Sequence, residues 1–143
     1  MMYKNKNKSC RVSVKIIKDD NRDRNGIGVF EWNVPMNGEF RVGRALDPVA
    51  ENGARLPKND VAICETATND DIASIGRNAF ALMFDRNRGI LIIRNVANKA
   101  MFSLEVAGRK YDMKATQTAQ LNVSNKILLG NYTTVEIMNI SVK

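Results

Sequence analysis

The fold of this chain is constrained most by its rhythm: short runs of alternating or β-branched residues, each closed soon after by a turn. Arg11-Val-Ser-Val-Lys-Ile-Ile-Lys alternates polar and apolar side chains, DDNRDRNGIG supplies turn chemistry around Asn25-Gly26, and Val29-Phe-Glu-Trp-Asn-Val resumes the pattern. Alternation with a period of two puts one side of a strand in a core and the other in water, so this stretch reads as a hairpin with a wide loop. After a turn at Pro35 to Gly38, EFRVGRA makes a further strand, with Phe40 and Val42 on one side and Glu39 and Arg41 on the other. ALDPVAENGARLPKN has too much proline, glycine and charge for regular structure, and Val61-Ala-Ile-Cys beyond it reads as a short buried strand.

A second irregular stretch, ETATNDDIASIGRN, leads into Ala79-Phe-Ala-Leu-Met-Phe, whose periodicity suits helix or strand. Its neighbour decides: DRNRG is a turn and Gly89-Ile-Leu-Ile-Ile-Arg is β-branched, so the two runs pair as a hairpin. Met101-Phe-Ser-Leu-Glu-Val and Arg109-Lys-Tyr-Asp-Met flank Ala107-Gly108 as another, and Ala119 to Val123, Lys126 to Leu129 and Thr133 to Val142 follow. About eleven short strands with no helices between them imply an all-β antiparallel sandwich of two packed sheets.

The 143 residues, 44% hydrophobic and 26% charged, suit one domain that buries a core without disulfides or metal. The expected division is a basic amino-terminal arm over residues 1–10 and a single sandwich over residues 11–143. Residues 1–24 carry eight Lys or Arg against three Asp, whereas residues 25–143 carry fourteen against twelve acids. A cationic segment at residues 4–24 attracts polyanions. No aromatic side chain follows Tyr3 there, which argues against nucleic acid as the partner. The start of the chain has positive charge without an apolar run behind it, and nothing elsewhere approaches the roughly 20 apolar residues of a membrane helix. The expectation is therefore a soluble cytoplasmic protein with no membrane partner.

Histidine is absent, so no Ser-His-Asp or Cys-His arrangement and no imidazole metal site exists in this chain. No GxxxxGK[ST] phosphate loop occurs, and Gly26-Ile-Gly28 lacks the third glycine of a dinucleotide fingerprint. Cys10 and Cys64 form no close pair and read as reduced thiols. Asn21, Asp23 and Asn25 match part of a calcium loop, but the twelfth position is Trp32, where a bidentate glutamate is needed, and Asp70-Asp71 lacks a third carboxylate nearby. Trp32, in an alternating strand, reads as core packing. The chain is read as non-catalytic, with no cofactor or metal.

In such a sandwich, recognition belongs to loops held by the sheets. Arg44 enters the first long loop and Arg77 stands near the end of the second. Two guanidinium groups converging from adjacent loops grip a phosphate bidentately. The competing arrangement pairs each with an acid of its own loop, such as Asp47, Glu51, Asp70 or Asp71.

The succession FRVGR, NDVAI, IGRNAFALMF, ILIIRN, EVAGRKY and KILLGNYTTVEI resembles a forkhead-associated (FHA) domain, a SMAD-like sandwich, from about Glu39 to Ile137. Gly43 and Arg44 match the family's Gly-Arg pair. In Ile75-Gly76-Arg77-Asn78-Ala79 the arginine is kept, Gly76 stands where the family has its phosphate-contacting serine, and Ala79 replaces a structural histidine. Val106-Ala107-Gly108 corresponds to a Val-Asn-Gly turn, which puts Phe102-Ser103-Leu104 on the Asn-Gly-Thr loop and removes the asparagine that holds a bound peptide. Asn98 takes its place after a small shift in alignment. The last motif, Ser124 to Gly130, keeps its apolar frame and final glycine but loses its Gly-Asp.

The resemblance implies a protein-interaction module of the signalling kind, binding a partner protein or phosphothreonine peptide. Gly43, Arg44, Gly76, Arg77, Asn78 and Asn98 are its candidate site. A lost serine donor and a lost backbone clamp each remove about 1–3 kcal/mol of binding. The alternatives are a phosphate-independent scaffold or oligomerising part of a larger assembly and, ranked below it, a basic nucleic-acid binder using residues 4–24. The sequence does not decide the oligomeric state.

Overall fold

The computed structural model describes residues 9–18, 26–50, 52–63, 78–97, 102–129 and 133–142. They form β1 (Ser9–Lys18), β2 (Gly26–Pro35), β3 (Phe40–Gly43), β4 (Val61–Ala62), β5 (Phe80–Asp85), β6 (Ile90–Asn95), β7 (Phe102–Val106), β8 (Arg109–Met113), β9 (Thr118–Leu121), β10 (Lys126–Leu129) and β11 (Thr133–Val142). One sheet has six strands in the order β2-β1-β11-β10-β7-β8, and the other has five in the order β4-β3-β5-β6-β9. The expected all-β sandwich is what forms, and no helix among the described residues is long and apolar enough to cross a membrane.

Alternation decides which side of each strand is buried. Cys10, Val12, Val14 and Ile16 of β1 face inward with Trp32 and Val34 of β2, Ile127 and Leu129 of β10, and Val135 and Ile137 of β11. Against them the five-stranded sheet turns Val42, Phe80, Leu82, Leu91, Ile93 and Leu121. Aromatic rings stitch the layers together: Trp32 lies 5.4 Å from Phe40 and 6.3 Å from Phe80, and Phe80 lies 5.8 Å from Phe102. Trp32 is core, as its place in an alternating strand suggests. Cys10 is a buried free thiol, and burial pushes its pKa up. β1 begins at Ser9, so it takes in the last two residues of the stretch read as a basic arm. The partial calcium loop at residues 21–25, Cys64 and Asp70-Asp71 lie outside the described residues.

The outer face of the six-stranded sheet carries a row of alternating charge. Lys110 stands opposite Glu105, Glu105 opposite Lys126, Lys126 opposite Glu136 and Glu136 opposite Lys15. Lys126 Nζ reaches Glu105 at 3.6 Å. Opposite charges in directly facing positions favour this register over one that would align like charges.

One pairing departs from the antiparallel expectation. β4 runs parallel to β3, with Val42 opposite Val61 and Gly43 opposite Ala62. Parallel neighbours need a connection that travels back along the strand, which is the work of the long irregular segment between them. This pairing sends the ends of β3 and β4 to the same end of the sandwich. Within that sheet the antiparallel registers bring the starts of β5 and β9 and the end of β6 there too. The bond from Asn95 at the end of β6 to Met113 O at the end of β8 brings the starts of β7 and β11 and the ends of β8 and β10 of the other sheet to the same end.

Candidate functional site

Gly43 closes β3 at that end, and Arg44 follows it as a half-buried residue. The backbone on both sides of Arg44 is held. Ala79 N donates to Val42 O at 2.9 Å, Ile63 N to Gly43 O at 2.9 Å, and Asn59 N to Leu46 O at 3.0 Å. The Asn59 side chain adds a bond from Nδ2 to Ala45 O at 2.7 Å. An arginine on an otherwise free loop would lose more conformational entropy on gripping an anion, so this backbone pre-organises the guanidinium's origin.

Asn78, read from sequence as a binding residue, is buried, and its amide faces the loop interior. Its Nδ2 donates to Pro57 O at 2.8 Å and to Asn59 Oδ1 at 3.0 Å. Asn59 and Asn78 therefore form a buried amide pair that clamps the 45–59 loop to the start of β5. Inside that loop Leu56 N donates to Pro48 O at 3.0 Å and Val49 bridges to Arg55, so the irregular composition still yields an ordered loop. Leu46 and Val49 project from it into solvent. Asp47, one of the acids considered for Arg44, lies 3.7 Å from Lys58.

A third buried asparagine braces the same end. Asn95 Nδ2 donates to Met113 O at 2.7 Å and its Oδ1 accepts from Ala97 N at 2.8 Å. Asn95 N donates to Gln117 O, and Thr116 N donates to Asn95 O, each at 3.0 Å. The end of β6 is thereby tied to the β8–β9 connection. Ala79 is buried in the core. Gly76, Arg77 and Asn98 lie outside the described residues.

The asparagine clamps escaped the sequence reading because nothing local marks them. Asn59 and Asn78 are far apart in the chain, and each alone looks like ordinary loop composition. On the outer face of the five-stranded sheet, likewise, Glu39 accepts from Arg41 at 2.9 Å and from Arg94 at 2.6 Å, a triad spread over three strand-level positions. It lies over Ala81, which is fully buried although it points away from the core.

No family model matches the sequence, and no curated protein matches it. Solved structures do. The FHA domain of an Arabidopsis thaliana hypothetical protein aligns at a TM-score of 0.54 and 17% identity, covering 91% of this chain and 87% of that one. The FHA domain of the Chlamydia trachomatis CT664 protein aligns at 0.51 and 14%, covering 90% and 99%. The yeast Pml1 splicing factor, solved with its integration into the RES complex, aligns at 0.53 and 16%, covering 92% and 80%. Strand order, the placement of Gly43-Arg44 and these alignments agree: the chain has the fold of the forkhead-associated domains.

Proposed function

We propose that this protein is a non-catalytic interaction module that binds a partner protein through the loops at the Arg44 end of the sandwich, with Arg44 and Arg77 as the anion contacts for a phosphothreonine. One observation carries the reading: Arg44 leaves the end of β3 from a backbone bonded on both sides, at the end where the long connections gather. A positive group held in this way suits phosphate, because guanidinium–phosphate bonds are charge-assisted and directional.

The test is an NMR titration of the labelled protein with a degenerate phosphothreonine peptide pool and its unphosphorylated twin, repeated on Arg44→Ala. Shifts around Arg44 with the phosphorylated pool alone, lost in the variant, are expected. Equal response to both pools, or response unchanged by Arg44→Ala, overturns the phosphate-reading role. The second reading, a phosphate-independent scaffold, is favoured by glycine at position 76 and by the buried Ala79, and by the similarity to Pml1, whose structure was described within an assembly. Its mark is capture of the same partner by wild type and Arg44→Ala.

A further inference from the structure

A two-sheet sandwich has four edges, and an unpaired edge strand is a template for another strand unless it is short, charged or blocked. Three of the edges here are protected. β4 has two residues, β9 has four, and β8 carries Arg109, Lys110 and Asp112 in five positions. β2 is different. It has ten residues, pairs only with β1, and among the described residues nothing pairs with its other edge. Its one charge, Glu31, is bound by Arg11 of β1, and Pro35 guards only the far end. Val29 and Phe30 are 71% and 50% exposed.

We infer that β2 pairs with β2 of a second copy of this chain, antiparallel about a two-fold axis through Val29. Self-complementarity picks this register. With Val29 opposite itself, Phe30 of each copy stands opposite Gly28 of the other. Within each copy the Phe30 ring already lies over its own Gly28, where a Cβ would meet it at 2.6 Å. The two rings therefore lie side by side across the axis, each over its own glycine, an arrangement the two-fold repeats in both directions. A register centred on Glu31 would put two carboxylates face to face, which costs rather than gains. The charge row across the sheet points the same way. Lys15, its last charge, stands opposite Val29, so at the edge the row ends on an exposed apolar residue.

The register pairs residues 26–32 of each copy, about 23 Å of edge at the usual rise per residue. A single strand edge of that length buries less than the ~800 Å² per partner of a standard stable interface, so the dimer is weak and concentration-dependent. Antiparallel pairing also points the Arg44 ends of the two copies in opposite directions. The inference does not depend on what those ends bind.

The test is sedimentation of the full chain over increasing concentration, up to about 1 mM, where even millimolar association leaves a measurable dimer. Wild type is expected to move from monomer toward dimer, and Val29→Lys to weaken association about tenfold or more, because lysine on an edge opposes pairing. Val29 is exposed, so the variant stays folded, but lysine there faces Lys15 and lowers the unfolding midpoint slightly, and association is compared where both proteins are native. A second pair of variants reads the register with Cys64→Ser in the background and Cys10 buried. Val29→Cys should cross-link under mild oxidation, since facing Cα atoms in an antiparallel pair lie within disulfide reach, whereas Asn33→Cys should not. A monomer at every concentration, association untouched by Val29→Lys, or equal cross-linking through position 33 overturns the proposal.

Discussion

Ala107 and Thr116 hold conformations that side chains oppose. Ala107 has φ 52° and Gly108 φ 81°, so the β7–β8 hairpin closes through two left-handed residues, the geometry for which Asn-Gly is preferred. Alanine there crowds its Cβ against the following carbonyl. Ala107→Asn or Ala107→Gly is therefore expected to stabilise the protein by about 0.5–1 kcal/mol, read from urea unfolding midpoints. Thr116, β-branched at φ 68°, sits where the β8–β9 connection meets Asn95. Thr116→Gly should gain a similar amount, since the backbone donor to Asn95 O is kept. Asp85 makes the opposite case of a well-suited residue. Its Oδ2 accepts from Arg88 Nε at 2.9 Å, and its Oδ1 accepts from Asn87 N at 3.0 Å and Arg88 N at 3.2 Å. The Arg88 side-chain hydrogen bond comes first among the causes that lower its pKa below the ordinary carboxylate value, followed by the backbone bond from Arg88. A carboxylate depressed in the folded state contributes stability above its unfolded pKa of about 3.9 and loses it as pH falls through the folded value. Stability measured at pH 7 and near pH 3 should consequently differ less in Asp85→Asn than in wild type.

At the scale of elements, the loop after Arg44 is ordered by two amides. Asn78→Ala would remove the bonds that Asn78 Nδ2 donates to Pro57 O and Asn59 Oδ1, at a cost of about 1–3 kcal/mol. Hydrogen exchange should localise the effect, with faster exchange of the Leu56 and Asn59 amides while β10 and β11 amides change only by the global amount. Sheet register depends on the charge row as well as on apolar alternation. Glu136→Lys puts three lysines side by side, from Lys126 through position 136 to Lys15. A loss of about 1 kcal/mol is expected, partly restored by adding Lys15→Glu, and larger at low salt than at high. β5 illustrates how context settles an ambiguous sequence. Phe-Ala-Leu-Met-Phe suits a helix, but β3 and β6 flank it as strands, and its backbone donors and acceptors find partners only by extending between them.

For the whole molecule, Phe80 of the five-stranded sheet is the ring that joins the layers, fully buried and packed at a tilt against Trp32 and Phe102 of the other sheet. Phe80→Ala should cost about 3–5 kcal/mol, a large part of a typical domain's stability, seen as a lowered urea midpoint with little change in slope. Much of this architecture was legible in advance. Period-two runs, β-branched neighbours and Gly and Asn-Gly turns name the eleven strands and their hairpins, and they put Gly43-Arg44 at a strand end. These are local properties, carried by each residue's conformational preference and the side its neighbours face. The tertiary structure alone decided the rest: that Cys10 near the start lies opposite Val142 near the end, that β4 runs parallel to β3, and that β2 is left, among the described residues, as a long bare edge. It alone also brought Asn59 to Asn78 and Glu39 to Arg94. Such pairings join residues far apart in the chain. They are selected by which arrangement buries both apolar faces and satisfies the polar groups between them, and no short stretch of sequence carries that information.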